Sequence, residues 1–361
     1  MKLISVVGAR PNFMKIAPII KEFSKHKEIQ NILVHTGQHY DDNMSKDFFD
    51  VLNIPKPDIN LEVGSGSNSW QTSEIIKRFE KVCVEYKPDL VIVVGDVNST
   101  LACSIVAKQL NIKLAHVEAG LRSFDMTMPE EINRRVTDNL TDILFVTEQA
   151  GVDNLLNEGI SKEKIFFVGD VMIDALVSEL DKIKNAKTIQ KYNLNQGTYA
   201  VSTLHRPVNV DNKENLLEIL DAFKSIQEKI RIILPMHPRT KKNIDRFGLN
   251  DKMKSMKNLI ITEPLDYVNF MNLVMNSKFV ISDSGGIQSE TTYLGIPCIT
   301  LRETTEKPVT LNEGTNVIVG NDKEKIILES IKVLNGDIQN HKIPELWDGK
   351  TAKRIVEVIL K

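Results

Sequence analysis

The chain has 361 residues, 42% of them hydrophobic, enough to bury a sizeable core and long enough to favour two domains over one. Its 46 Lys and Arg against 48 Asp and Glu nearly cancel, so no broad positive field draws nucleic acid or an anionic membrane surface, and any anionic ligand must be held locally. Cys83, Cys103 and Cys298 are odd in number and lack CxxC spacing, which argues against a disulfide framework or structural zinc and reads them as small buried apolar residues, while no run approaches the roughly 18 apolar residues of a membrane span; a soluble, cytoplasmic protein is expected.

Met1 to Val7 superficially resembles a signal peptide, but Arg10 and Pro11 interrupt it too early, and the segment is read as a first strand. Further short apolar runs at Ile32 to His35, Leu90 to Val94, Leu114 to Val117 and Ile143 to Val146 alternate with amphipathic stretches of helical length. Apolar runs without polar alternation predict parallel strands covered by helices on both faces. In such sheets ligands collect beyond the carboxyl ends of the strands, so the residues that follow each strand matter most.

After the first strand comes Gly8-Ala9-Arg10-Pro11-Asn12-Phe13-Met14-Lys15, where helix amides and the cations Arg10 and Lys15 suit a phosphate, or merely form a turn with solvated charges. It is neither GxGxxG nor GxxxxGK[ST]. Thr36-Gly37-Gln38-His39-Tyr40 follows the second strand, and Gly95-Asp96-Val97-Asn98-Ser99-Thr100 the run ending at Val94. Asp96 fits either a helix cap or a site residue. In His116-Val117-Glu118-Ala119-Gly120-Leu121-Arg122, Glu118 ends a strand and needs a partner or a ligand, because a buried uncompensated carboxylate is costly. Pro129-Glu130-Glu131-Ile132-Asn133-Arg134-Arg135 opens a helix, with Pro in the first turn and carboxylates favoured by the dipole. Asp96, Glu118 and Glu130 are expected to face one cleft, where mutual repulsion would raise at least one pKa and make a proton acceptor or donor. Without a tight DxD pair or HExxH, no metal is assigned.

A polar, Lys- and Asn-rich stretch from about Leu180 to Gly197 separates this half from a second run of the same rhythm, with strands at Tyr199 to Thr203, Arg231 to Pro235, Leu259 to Thr262, Phe279 to Ser282 and Pro297 to Leu301 and a helix over Glu214 to Ile230. His205 and Met236-His237-Pro238 end the first two of these strands, two histidines in corresponding positions. Ser282-Asp283-Ser284-Gly285-Gly286-Ile287-Gln288-Ser289-Glu290 is a strand, a Gly-rich turn and a helix start: the paired glycines admit a phosphate to the helix amides, and Glu290, a turn further in, can accept from ribose hydroxyls. Arg302-Glu303-Thr304-Thr305-Glu306-Lys307-Pro308 brings cations to the same rim. The expected architecture is α/β: two Rossmann-like doubly wound domains, residues 1–185 and 186–345, facing a central cleft, and an amphipathic helix over 346–361 that can pack on either.

In this order, Gly8-Ala9-Arg10-Pro11, Thr36-Gly37-Gln38-His39, Gly95-Asp96, the His116 to Arg122 and Pro129 to Arg134 strings, His205-Arg206, Asp283 to Gln288 and Arg302 to Pro308 resemble the non-hydrolysing UDP-N-acetylglucosamine 2-epimerases, whose two-domain fold is that of GT-B glycosyltransferases. The resemblance implies catalysis by Asp96, Glu118 and Glu130, with Arg134 and His205 nearby. It implies that Arg10, Lys15, Phe270, Ser284, Gly285, Glu290 and Lys307 hold UDP; Gly286, Arg302 and His237 join them here as substrate-binding residues. Gln38, His39 and Arg206 would belong to a regulatory substrate site. Many members read His-Arg-x-Glu-Asn, whereas this chain reads His205-Arg206-Pro207-Val208-Asn209, without the Glu. The implied reaction inverts C2 by eliminating and re-adding UDP through a 2-acetamidoglucal, with no cofactor and no metal, in a homodimer that supplies surface-polysaccharide precursors. The competing readings are a GT-B glycosyltransferase, a hydrolysing epimerase and a non-catalytic nucleotide-sugar sensor.

Overall fold

Leu90–Val94, five consecutive apolar residues, forms a strand buried along its whole length, as the interior of a parallel sheet with both faces covered requires. The computed structural model describes residues 1–37, 56–338 and 340–361. These divide into two units, Met1–Ser178 with Glu345–Lys361, and Glu179–Pro344. In the first, the order along the chain is β1 (Lys2–Val7), α1 (Arg10–Phe23), β2 (Gln30–His35), β3 (Ile59–Asn60), α2 (Asn68–Tyr86), β4 (Leu90–Val94), α3 (Asn98–Gln109), β5 (Lys113–Ala119), α4 (Pro129–Leu140), β6 (Ile143–Val146), α5 (Gln149–Asn157), β7 (Ile165–Phe167) and α6 (Val171–Asn185), whose residues from Glu179 onward fall in the second unit. The sheet is parallel, with strand order β3-β2-β1-β4-β5-β6-β7. The order reverses between β1 and β4, which places the topological switch point beside Gly8 and Gly95.

The second unit holds α7 (Thr188–Lys191), β8 (Tyr199–Thr203), α8 (Pro207–Val210), α9 (Lys213–Ile226), β9 (Arg231–Pro235), α10 (Pro238–Phe247), α11 (Asn250–Ser255), β10 (Leu259–Thr262), α12 (Tyr267–Met275), β11 (Phe279–Ser282), α13 (Gly285–Leu294), β12 (Cys298–Thr300), α14 (Val309–Asn312), β13 (Asn316–Ile318) and α15 (Lys323–Leu334). Its sheet is also parallel, in the order β10-β9-β8-β11-β12-β13, with the switch point between β8 and β11. Both units are therefore doubly wound.

The polar stretch after Leu180 is not a plain linker, because α6 continues through it to Asn185 and α7 follows; exposed Lys and Asn clothe helices here. The last helix, α16 (Thr351–Ile359), belongs to the first unit, where it packs on α1. Two contacts fix it: the Asp174 carboxylate accepts from the Thr351 and Ala352 amides (3.0 and 2.7 Å), and the buried Trp347 Nε1 donates to the Thr147 carbonyl at 3.0 Å. Cys83, Cys103 and Cys298 are free and buried, and burial pushes the Cys298 thiol up to about 11. Among the described residues no helix is long and apolar enough to cross a membrane.

Candidate functional site

At the first switch point the chain turns from β1 into α1 through Gly8 and Ala9, whose amides donate to the Asn12 Oδ1 (3.2 and 2.9 Å). The Asn12 amide nitrogen donates to the Val94 carbonyl at 3.0 Å, so one buried side chain ties this turn to the end of β4. One helical turn further along α1, Lys15 forms an ion pair with Glu118. Glu118 is buried and lies at a register irregularity of β5 between Val117 and Ala119, with φ of 75°. A left-handed backbone at a non-glycine residue costs about 1–3 kcal/mol and persists where surrounding structure imposes it, as functional sites do. The carboxylate whose isolation the strand pattern made costly thus has Lys15 as its cation.

Gly95 completes the arrangement: its φ is +67°, and a Cβ there would stand 3.1 Å from the Lys15 Nζ and 3.5 Å from a Glu118 carboxylate oxygen. Only glycine leaves this space open. The next residue, Asp96, accepts from the Arg134 Nη2 (2.7 Å) and Nε (3.1 Å), both on its Oδ2, and its carbonyl accepts from Asn133 at 2.8 Å. Arg134 is nearly buried and also donates to Glu131 at 2.7 Å. Burial pushes the Glu131 carboxyl up, but donation from the Ser123 amide and the Arg134 charge outweigh it and hold it below the ordinary range. Asp96 and Glu130 line one cavity of about 260 Å³ together with Gln71, Asn98, Pro129 and Asn133. Proximity of the carboxylates suggested mutual repulsion, but Asp96 and Glu118 each face a cation. Arg10, at the start of α1, is exposed.

A polar chain lies beneath. His116, fully buried in β5, has Nε2 at 2.8 Å from the Gly95 carbonyl and Nδ1 at 2.6 Å from Asp138. Asp138 also accepts from the Gly120 amide (3.0 Å) and from Arg122 (2.7 Å), and Arg122 makes two bonds to Glu158. Burial opposes ionisation of Asp138, yet His116 and Arg122 hold it below the usual carboxylate range. The peptide unit before Asp96 is thereby fixed from below.

In the second unit Asp283, fully buried just past β11, reaches across the switch point to the turn after β8. It accepts from the His205 amide (3.0 Å), the Arg206 amide (2.9 Å) and Asn209 Nδ2 (3.3 Å), and its Oδ1 lies 2.9 Å from His205 Nδ1. Burial pushes this carboxyl up, but the His205 contact and the two amides outweigh it and leave it low. His205 and His237 lie side by side, ring centroids 5.6 Å apart, and the His237 Nδ1 accepts from the Arg239 amide at 3.2 Å as the cap of α10.

The Ser284 amide is occupied by Ser282 Oγ (3.0 Å), so the first-turn amides of α13 begin for a ligand at Gly285 and Gly286. Glu290 is buried and accepts from the Tyr267 hydroxyl at 2.8 Å; burial and that carboxylate together push the Tyr267 phenol well up. Arg302, expected as a rim cation, is buried against Glu306 (2.6 Å), which also stands where a side chain on Gly285 would be. Lys307 is buried and donates to Ser289 Oγ at 3.0 Å. Phe270 is half-buried on α12, and Arg206 caps α8. Gln38 and His39 lie outside the described residues.

Each unit therefore gathers its own set: Lys15, Asp96, Glu118, Glu130 and Arg134 around Gly95, and His205, His237, Ser284, Gly285, Gly286, Glu290, Arg302 and Lys307 on the turns after β8, β9, β11 and β12. Sequence reasoning missed Asn12, Glu131, Asp138, Asp283 and Tyr267 as members of these networks, although each stands within a few residues of a group that it named. Among the described residues no group of three His, Cys, Asp or Glu converges as a metal site would require.

A family model for UDP-N-acetylglucosamine 2-epimerase matches residues 21–360. A Methanococcus maripaludis protein named UDP-N-acetylglucosamine 2-epimerase homolog is 47% identical over 363 residues, covering 99% of both chains. The UDP-2,3-diacetamido-2,3-dideoxy-D-glucuronate 2-epimerase of Pseudomonas aeruginosa is 38% identical over the full length of both. Among solved structures, the Methanocaldococcus jannaschii UDP-GlcNAc 2-epimerase in complex with UDP-GlcNAc and UDP superposes with a TM-score of 0.91 at 43% identity, covering 100% of this chain and 99% of that one.

Proposed function

The chain belongs to the UDP-N-acetylglucosamine 2-epimerase family, and on that premise we propose that it interconverts UDP-N-acetylglucosamine and UDP-N-acetylmannosamine without hydrolysis, by inversion at C2. The observation that carries this reading is the pair of cation-matched carboxylates, Asp96 with Arg134 and Glu118 with Lys15, set around Gly95 at the topological switch point.

The chemistry explains the need for them. The C2 hydrogen of the sugar is not adjacent to a carbonyl, so direct deprotonation is too slow. Elimination removes the difficulty: a base takes the C2 proton, the C–H electrons form the C1=C2 bond, and the C1–O pair leaves with UDP, giving a 2-acetamidoglucal. UDP then adds back to C1 while an acid protonates C2 from the opposite face. The reaction requires a base, an acid and strong stabilisation of the departing diphosphate. Asp96, Glu118 and Glu130 share the proton transfers, and Arg134 orients Asp96. Arg10 and Lys15 supply cations for UDP; His237, the Gly285 and Gly286 amides and Lys307 hold the diphosphate, with His205 beside it at the sugar; Glu290 takes the ribose hydroxyls, with Phe270 and Arg302 completing the nucleotide site. Arg206, with Gln38 and His39, is assigned to a regulatory site. We assign the protein to the cytoplasm as a homodimer, to be checked by light scattering.

The test uses substrate carrying ¹⁸O in the bridge between C1 and the diphosphate. Reversible C1–O cleavage frees the β-phosphate to rotate, so recovered substrate should carry label in non-bridging positions. Epimerisation with the label kept wholly in the bridge overturns the elimination, and release of free N-acetylmannosamine with UDP reassigns the chain as a hydrolysing enzyme. The same assay with the diacetamido-uronate sugar of the Pseudomonas relative decides between the two substrates.

A further inference from the structure

His205 and His237 occupy matching places after β8 and β9, yet the groups that hold their Nδ1 atoms are opposite in kind. The His205 Nδ1 lies 2.9 Å from Asp283 Oδ1, and an ionised carboxylate can only accept. His237 Nδ1 faces the Arg239 amide at 3.2 Å, which can only donate. Neutral His205 therefore carries its proton on Nδ1 and a lone pair on Nε2, while neutral His237 carries its proton on Nε2. With centroids 5.6 Å apart, the rings form a complementary set, one acceptor and one donor.

We propose that Asp283 is a positioning residue for the reaction, fixing the tautomer and orientation of His205, and that the two histidines present an imidazole acceptor to a sugar hydroxyl, from His205, and an imidazole donor to the diphosphate, from His237. This rests on the assignment of His205 to the substrate site. Asp283 is fit for the task because it is rigid: it is fully buried and accepts from the amides of His205 and Arg206 and from Asn209. Its low pKa keeps it an acceptor at neutral pH. A carboxylate behind an imidazole sets which nitrogen bears the proton and compensates charge when the far nitrogen gains one. The Pro at 207 serves the same geometry, since it opens α8 immediately after Arg206 and needs no amide partner there.

Substitution Asp283→Asn separates this role from a structural one. The Asn oxygen is kept on the Oδ2 side by the His205, Arg206 and Asn209 donors, so the new NH₂ replaces Oδ1 and faces His205 Nδ1. That donor forces the ring into the other tautomer while the turn keeps its three bonds to the Oδ2 side and loses only the longer 3.2 Å bond from the His205 amide to Oδ1. The expected result is a fall in kcat of at least about tenfold with little change in KM, and no further fall when Asp283→Asn is added to His205→Asn. Full kcat in the single variant, or an equal and additive loss in the His205→Asn background, overturns the proposal. Nitrogen-15 NMR of histidine-labelled wild-type protein, with His205 and His237 assigned by substitution, tests it without relying on the variant. Protonated Nδ1 on His205 and protonated Nε2 on His237 are expected; protonated Nε2 on neutral His205 overturns it. Conversion of substrate by the wild type is measured beside both, so that a wrong substrate is distinguished from a wrong role for Asp283.

Discussion

Gly95 shows how one residue sets the chemistry around it: its left-handed backbone and missing side chain let Lys15, Asn12 and Glu118 close in on it. The Asp96–Arg134 pair follows from that turn, and because the Asp96 side chain is 29% exposed its removal should scarcely alter folding. Asp96→Asn is expected to lower kcat by about 10²- to 10⁴-fold while leaving the melting temperature within a few degrees, as measured by steady-state turnover and calorimetry; retained turnover removes Asp96 from the proton transfers. The named carboxylates were legible in the sequence because each followed a strand-like run or opened a helix. Their partners were less so. His116 stood within a quoted motif without a role, and nothing in an apolar strand announces that its ring will bridge Gly95 and Asp138 across 21 and 22 residues. Asn12 reads as an ordinary helix residue, and only the fold reveals it holding the end of β4.

Elements were read best where they are long and buried on both faces. The runs at Leu90 and Tyr199 are β4 and β8 residue for residue; continuous burial leaves an unbroken apolar signal in β4, and in β8 the apolar start Tyr199-Ala200-Val201 with β-branched Thr203 marks the strand. β3, β7 and β13 lie at sheet edges, have two or three residues, and are half-buried, too short to show a period. The position of α16 was equally silent, because an amphipathic helix declares a buried face and not the surface that covers it. Asp174 and Trp347 supply that information. Replacing the buried Trp347 with Ala should cost about 3–5 kcal/mol in urea denaturation by leaving a cavity and an unbonded Thr147 carbonyl; a loss below about 1 kcal/mol contradicts its role as the anchor of this segment.

For the whole molecule, two parallel sheets with the same winding order place every named strand-end residue at a carboxyl edge, which is why a sequence of apolar runs carried so much of the site. Buried carboxylates in both units hold turns together, and this links stability to pH. Glu131, Asp138 and Asp283 all have lowered folded pKa values, so their contribution is present above the unfolded carboxylate value of about 4 and is lost as pH falls through the folded values. Asp174, raised by burial, has the opposite sign: its contribution is fully present below the unfolded value and is lost as pH rises through its raised folded value. Three against one, the melting temperature should fall steeply below about pH 4; an unchanged value at pH 3 contradicts this balance. The most direct test of the proposed activity is proton NMR of the purified protein with UDP-N-acetylglucosamine in deuterated water, without added metal or nicotinamide. UDP-N-acetylmannosamine carrying deuterium at C2 is the expected product. Epimer that retains the original hydrogen contradicts proton exchange by the carboxylates, and substrate left unchanged and unlabelled contradicts the proposed reaction itself.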